Sequence, residues 1–407
     1  MATPEPQSST QPGKALPLLL TPISLRGVAA RNRIVASPMC QYRSVDGGPT
    51  DWHIVHLGRL AMGGAGIVFC EETAVEPRGR KTYECAGIWS KAHVAAYERV
   101  SSFIREQGAV PAMQLGHSGR KASVHGPQQE WAPLTEADAA KGLPPWVGLA
   151  PSAIREDEGH HIPRAMELAD IRAVATAWRR ATALSAEAGF DIIEIHGAHG
   201  YLIHQFLSPL TNTRTDAYGG DRAGRMRFAL EICEAVREEW PPAKPLFFRI
   251  SCVDGMGGVW SLEDSIVLAK ELKARGVDVV DCSSGGITGS SAMPVLPRAP
   301  GYHVPFAARI RREASVMTCA VGLITEAKQA ESILQEGSAD LVALARELLW
   351  NAEWPVQAAR ELGVADYLSL LPAGYAHRLR RREEVAALPI NANADVDPGQ
   401  ARLIEST

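Results

Sequence analysis

Phe190-Asp-Ile-Ile-Glu-Ile195 runs straight into His196-Gly-Ala-His199-Gly-Tyr201-Leu-Ile-His204-Gln-Phe-Leu-Ser-Pro209-Leu, and this passage decides how the chain is read. The first six residues form a short, mostly apolar run of the kind that makes a strand buried in a parallel sheet. Two imidazoles and a phenol just past the C-terminal end of such a strand would project into one cavity. Imidazoles bind and polarise an anionic or carbonyl oxygen, and a tyrosine donates a proton. The combination points to chemistry on an activated carbonyl compound.

Outward from this passage the same unit recurs: a β-branched run, a polar or Gly-rich loop, then a segment with apolar residues three and four apart. Strands are expected at 33–37, 66–71, 110–115, 190–195, 246–251, 277–282, 316–320 and 341–345. Helices are expected at 92–107, 168–188, 222–239, 261–275, 304–312, 325–335 and 355–362, several with Gly close behind them (Gly108, Gly189, Gly276, Gly337). This alternation predicts one (β/α)8 TIM barrel of the α/β class over 17–388. An open doubly wound sheet would announce a G-x-G-x-x-G turn after its first strand, and none follows Ser37-Pro38-Met39-Cys40. Segment 124–151, with Trp131 and Trp146, is too long for an ordinary loop and reads as a rim insertion after strand three. Residues 1–16 read as a disordered leader and 389–407 as a mobile tail.

Of the 407 residues, 46% are hydrophobic and 22% charged, a soluble globular balance with ample material for a core. The net charge of −4 steers the chain toward neither nucleic acid nor anionic membrane. No apolar run is long enough for a membrane span, and the N-terminus has no signal-peptide core. Seven cysteines without a C-x-x-C pair favour a reducing, cytoplasmic setting and argue against a disulfide framework or an iron–sulfur cluster.

In a barrel of this kind the chemistry sits at the C-terminal strand ends. Those positions carry Ser37-Pro38-Met39-Cys40-Gln-Tyr42, Glu71-Glu-Thr73, Gln114-Leu-Gly-His117, the His/Tyr segment, Arg249-Ile-Ser, Cys282-Ser283-Ser-Gly285-Gly286, Val321-Gly322 and Ala345-Arg346. The last three suit a phosphate, because small residues let backbone N–H groups approach its oxygens and Arg346 adds a charged donor. Gln114 and Arg249 would sit deeper, where planar donors fit the edge of a flat heterocycle; the plainer alternative is a salt bridge from Arg249 to Glu194 or Glu71.

Together these stretches resemble the Old Yellow Enzymes, FMN-dependent ene-reductases, and most nearly the thermophilic-like branch that includes xenobiotic reductases. The resemblance runs from about Leu18 to about Arg382. It rests on Ala36-Ser-Pro-Met-Cys40-Gln-Tyr42, Gln114-Leu-Gly-His117-Ser-Gly-Arg-Lys121, Ala150-Pro-Ser-Ala-Ile154, Glu194-Ile-His196-Gly-Ala-His199-Gly-Tyr201, Leu207-Ser-Pro-Leu-Thr-Asn212-Thr-Arg214-Thr-Asp216-Ala-Tyr218-Gly-Gly220 and Asp281-Cys-Ser-Ser-Gly285. It implies bound FMN, with NADPH as co-substrate and NADH as an alternative. Ser37, Pro38, Met39, Cys40 and Thr73 would line the flavin, and Gln114 and Arg249 would bond its pyrimidine edge. Ser283, Gly285, Gly322, Ala345 and Arg346 would hold the phosphate. His196 and His199 would bond the activating oxygen of an enone or enal, Tyr201 would donate the proton, and Cys40 and Tyr42 would tune reactivity and fit.

The resemblance also implies a homodimer or homotetramer, with Arg378, in Tyr375-Ala-His-Arg378, reaching a neighbouring site. Ala345 departs from the family's usual Gly, and the tryptophans of segment 124–151, longer than in the shortest relatives, would reshape the substrate mouth. Nitro-compound or nitrate-ester reduction on the same flavin is the alternative function. A zinc hydrolase using His196 and His199 is more remote, since no third ligand is evident and no metal is expected. Transfer RNA dihydrouridine synthases would need a basic surface that this chain lacks. Packing or hydrogen-bonding roles are expected for His53 and His56, solvent exposure for His160, His161 and Arg380–Arg382, and a structural network for Asp216, Arg225 and Arg227.

Overall fold

The computed structural model describes residues 15–255, 259–287 and 298–386. The expected leader, apart from residues 15 and 16, and the expected tail lie outside these. Eight parallel strands close into a barrel in chain order: β1 (Ile34–Ala36), β2 (Ile67–Ala74), β3 (Val110–Gly116), β4 (Ile192–Gly197), β5 (Leu246–Ser251), β6 (Val279–Ser283), β7 (Met317–Ala320) and β8 (Leu341–Leu344). Around them run α1 (Asp51–Met62), α2 (Val94–Glu106), α3 (Leu168–Glu187), α4 (Arg222–Glu239), α5 (Leu262–Ala274), α6 (Val304–Ala314), α7 (Ala327–Gln335) and α8 (Trp354–Glu361). No helix among the described residues is long and apolar enough to cross a membrane.

The two-residue period of a strand explains how the barrel is filled. Ala112, Ile192, Phe247 and Val279 form part of an apolar plug inside it. Two residues further along the same strands stand Gln114, Glu194, Arg249 and Asp281, and two beyond those His196, Ser251 and Ser283. The inner face thus changes from apolar to polar toward the C-terminal strand ends. The second face of each strand packs against the helices, where Trp178, Phe190, Phe228 and Trp240 are among the core residues.

Boundaries differ from expectation where pairing outruns local composition. β4 extends through His196 to Gly197 because His196 pairs with Arg249 and Gly197 with Ile250, so His196 lies within the strand and not past its end. β2 continues to Ala74 through a bulge: Cys70 faces Met113, Glu72 faces Gln114, and Glu71 is the extra residue. A hairpin of Ile23–Leu25 with Val28–Ala30 precedes the barrel, and a C-terminal helix, α9 (Ala373–Ala386), follows α8; neither was expected from the sequence. The insertion is longer than 124–151. The chain from β3 to α3 includes a short helix, Glu136–Ala139, and pairs Leu149–Ala150 with Arg164–Ala165.

Candidate active site

His196, His199 and Tyr201 converge at the end of β4. The His196 ring lies 4.9 Å from the Tyr201 ring and 5.1 Å from the His199 ring, centroid to centroid. The turn that brings them together holds His199 at φ 57° and Gly200 at φ 71°. A β-carbon on Gly200 would stand 2.0 Å from the Gly286 carbonyl oxygen, so only glycine fits there. The turn is pinned from both sides: Ser251 Oγ accepts from the His199 N–H at 3.0 Å, and His204 Nδ1 accepts from the Gly200 N–H at 2.9 Å.

Burial decides the protonation of these groups. It lowers the pKa of both His196 and His199 well below the usual imidazole value, and the nearby Arg249 charge adds to the effect. It raises the Tyr201 phenol well above its usual value, with Glu72 contributing next. Neutral imidazoles and an intact phenol are therefore the working forms. His196 Nδ1 has no partner, while His199 Nε2 lies 2.7 Å from Ser283 Oγ.

Beneath them sits a buried polar layer. Gln114 Nε2 donates to Glu194 Oε1 at 2.7 Å, and Arg249 Nη1 donates to Ser37 Oγ at 3.0 Å. Arg249 Nε lies 3.4 Å from Asp281 Oδ2, an ion-pair contact without hydrogen-bond geometry. The partner of Arg249 is thus Asp281, and not the Glu194 or Glu71 considered from sequence. Burial pushes the Glu194 carboxyl up, helped by the Asp281 charge, whereas Arg249 pulls both acids back. Burial alone would lower Arg249, but the two carboxylates outweigh it and raise its pKa. Glu71 turns away from this layer: it accepts from the Gln41 N–H at 2.7 Å and lies 3.0 Å from His53 Nε2.

Two cavities adjoin along the His199–Ser283 contact. The smaller, about 300 Å³, is lined by Arg249, Ser283, Gly322, Ala345 and Arg346, with Tyr302 and His303 beside them. The larger, about 550 Å³, is lined by Lys81, Lys121, Trp131, Glu156, His160, His199 and Tyr201. Gly285 is placed differently from the other phosphate candidates, for its N–H donates to Val253 O at 2.9 Å and its carbonyl accepts from Ser251 Oγ at 2.8 Å. Thr73 is buried on β2, with its hydroxyl donating to the Glu71 carbonyl. Met39 and Cys40 are half-buried. Tyr42, at φ 54°, packs edge-on against Trp131 with ring centroids 5.2 Å apart.

Several participants were not foreseen. Lys81 and Glu156 reach the mouth from segments distant in sequence and join Trp131, whose place there was expected, and the Lys121–Glu156 ion pair, 3.1 Å long, is almost wholly buried. His160 and His161 are half-buried and not exposed: His160 lines the larger cavity, and His161 Nε2 sits 2.8 Å from the Leu134 carbonyl oxygen, because the insertion folds back over them. Arg380, Arg381 and Arg382 are exposed on α9, as is Arg378. Asp216 binds Arg214, while Arg225 and Arg227 donate to backbone carbonyls of the same loop. Among the described residues, no group of three or more His, Cys, Asp or Glu side chains could hold a metal ion, so the zinc alternative has no ligand set.

Four unsatisfied buried atoms, Arg249 Nε, Asp281 Oδ1, Glu194 Oε2 and His196 Nδ1, belong to the polar layer and the His/Tyr group at the barrel mouth. Buried polar atoms left without protein partners mark a place where a polar occupant can bind. The chain matches the model of the NADH:flavin oxidoreductase / NADH oxidase family over residues 18–364. It is 46% identical over 349 residues to an NADPH dehydrogenase from Geobacillus sp. (strain WCH70), covering 85% of this chain and 95% of that one. An NADPH dehydrogenase from Bacillus cytotoxicus is 42% identical over 347 residues, covering 85% and 93%. Morphinone reductase in complex with tetrahydroNAD superposes with a TM-score of 0.69 at 26% identity, covering 88% of this chain and 96% of that one. An Old Yellow Enzyme homologue from Zymomonas mobilis, at 23% identity and a TM-score of 0.71 over 88% and 99%, shares the fold.

Proposed function

Since the chain belongs to the NADH:flavin oxidoreductase / NADH oxidase family, that of the Old Yellow Enzymes, and is an FMN-dependent NADPH oxidoreductase, we propose that it reduces the activated C=C bond of α,β-unsaturated carbonyl compounds. One observation carries this reading: the neutral His196 ring packs within 5.1 Å of both a second neutral imidazole, His199, and the protonated Tyr201 phenol, beside a buried arginine.

FMN, when bound, supplies the hydride it has taken from NADPH. Gln114 and Arg249 fit its pyrimidine edge, and the cation of Arg249 favours negative charge there. Arg346, Ser283, Gly322 and Ala345 line the cavity suited to its phosphate, and Ser37, Pro38, Met39, Cys40 and Thr73 stand along the approach to its ring. Oligomeric assembly and the reach of Arg378 into a neighbouring site belong to the same reading.

His196 and His199 each offer one N–H to the substrate's carbonyl oxygen. Being neutral, they gain most as negative charge develops on that oxygen, a contribution of about 3–4 kcal/mol for such preorganised donors. The β-carbon thereby becomes electrophilic and accepts the hydride. Tyr201 gives its phenolic proton to the α-carbon, which completes a two-electron, two-proton reduction of the double bond. Tyr42 and Trp131 bound the space left for substituents.

The test is anaerobic. NADPH should bleach the yellow protein, and cyclohexenone should restore the colour. Tyr201→Phe should slow the restoration by about 100-fold, and His196→Ala should weaken binding of para-substituted phenols as well. Unchanged restoration and unchanged phenol affinity in both variants would refute the assignment.

A further inference from the structure

The larger cavity holds a positive charge that the reaction above does not use. Lys81 and Lys121 both line it, together with His199 and Tyr201. Lys121 is already committed to Glu156, in the buried ion pair described above. Lys81 makes no ion pair and no side-chain hydrogen bond among the described residues; its Nζ stands 3.5 Å from the centroid of the Trp131 ring. An indole face stabilises an ammonium, yet it fills only one side of a group that carries three N–H donors.

Backbone hydrogen bonds fix this arrangement. The Val124 N–H donates to the Lys81 carbonyl at 3.1 Å, which ties the chain after β2 to the insertion. The insertion then doubles back, with the His125 N–H donating to the Ala132 carbonyl at 2.8 Å and the Leu134 N–H to the Ser123 carbonyl at 3.0 Å, and Trp131 stands in the turn between. Lys81 is half-buried. Burial lowers its pKa from the usual lysine value, the Lys121 charge adds to this, and Glu156 opposes it. A partly desolvated cation without a counter-ion is costly, and an anion entering the cavity would remove that cost. The remaining acids of the lining, Glu130 and Asp157, are exposed, so solvent and salt screen them.

We propose that the preferred substrates are unsaturated carbonyl compounds that also carry a carboxylate, and that Lys81 binds it; this rests on the reading of His196, His199 and Tyr201 as the enone-reducing group. The carbonyl oxygen goes to the two imidazoles, the carboxylate to the Lys81 ammonium above Trp131, and the carbon skeleton lies between them. A cavity of about 550 Å³ suits a small molecule of this kind. Holding both ends fixes one orientation of the double bond, an advantage that a neutral enone lacks.

The experiment gives the NADPH-reduced holoenzyme cyclohexenones with a carboxylate on the β-carbon, directly or through one or two methylenes, each beside its methyl ester. Wild type, Lys81→Met and Lys81→Arg are compared. At the best spacer, wild type should favour the acid over its ester by about tenfold in kcat/KM. Lys81→Met should abolish that preference and Lys81→Arg should keep it. Each ratio is taken within one variant, so any general disturbance of Trp131 cancels. Titration of the oxidised holoenzyme with para- and meta-hydroxybenzoate and their methyl esters reads the same preference as binding, without turnover. Equal use of acid and ester at every spacer, or a preference that survives Lys81→Met, overturns the proposal and leaves the ene-reductase reading standing. Flavin reduction that slows in Lys81→Met with NADPH but not with NADH, the acid preference being intact, assigns the ammonium to a dinucleotide phosphate and overturns it as well. If acid, ester and cyclohexenone all fail to reoxidise the flavin, the ene-reductase reading itself falls, and this one with it.

Discussion

Nη1 of Arg249 donates to Oγ of Ser37 at 3.0 Å, joining β5 to the residue after β1 on the opposite side of the barrel. The bond spans the bottom of the mouth and positions the guanidinium beside Asp281 and Glu194.

Arg249→Met is therefore expected to lose flavin and stability together. Two buried acids would be left without their cation, and breaking such a cluster costs about 3–5 kcal/mol. The sign with pH follows: both acids already have raised pKa values, and removing Arg249 raises them further. The stability lost is accordingly greatest at alkaline pH and recovers as pH falls and the acids bind protons. Thermal melts across pH, with absorbance of retained flavin, check this; a variant as stable and as yellow as wild type would contradict it.

Acid sensitivity should come from buried neutral histidines. Burial lowers His56 to about 4 and His204 and His303 each to about 3, and His196 and His199 also lie well below the ordinary value. Each depressed pKa contributes stability that is whole above about 6.5, the unfolded value, and is lost as pH falls toward the folded one. Every such histidine removes up to about 1.4 kcal/mol per pH unit in that window. The melting temperature should thus drop steeply below about pH 6.5, and His204→Gln should flatten the slope. A flat profile there would count against the buried neutral forms.

The barrel was legible because β-branched runs separated by segments with apolar residues three and four apart are a local property. Gln114 and Arg249 were legible in the polar layer because each stands at the end of such a run, where a barrel opens its mouth. What stayed hidden depends on register and long-range convergence. No local signal says that β2 bulges at Glu71, so the opposite aims of Glu71 and Glu72 were invisible. Asp281 could be recognised as the partner of Arg249 only once β5 and β6 were paired. Lys81 and His160 join Trp131 at the mouth, and while the tryptophan's place in the insertion pointed there, nothing in the spacing of the other two requires it. The C-terminal helix is polar nearly all round, with Ala376 its buried residue, and so lacks an apolar stripe to betray it.

Trp131 should set the size of accepted substrates. Its ring packs on Tyr42, and Lys81 Nζ stands 3.5 Å over it. Both Trp131, at φ 63°, and its neighbour Glu130, at φ 52°, are non-glycine residues in the left-handed region. Consecutive strained residues of this kind, each costing about 1–3 kcal/mol, are kept where they hold a side chain in place. Trp131→Ala should raise kcat/KM for bulky β-substituted cyclohexenones relative to cyclohexenone by about tenfold. A ratio unchanged across a graded series of substituents would show that another residue sets the limit.

Gly200 offers the sharpest test that the tyrosine turn carries the chemistry. Alanine there must accept φ 71° and also a contact of 2.0 Å with the Gly286 carbonyl oxygen, which is backbone and cannot rotate aside. The turn must shift, and it carries His199 on one side and Tyr201 on the other. Gly200→Ala should therefore cost about 1–3 kcal/mol in stability and slow reoxidation by enones at least as much as Tyr201→Phe does. Gly220, also at positive φ but with nothing within 4 Å of its added β-carbon, is the control. Gly220→Ala bears the backbone strain without the collision, so it should lose stability and keep its rate. If the two variants lost activity alike, strain alone would explain the effect, and the close approach of Gly200 to Gly286 would have no part in positioning the site.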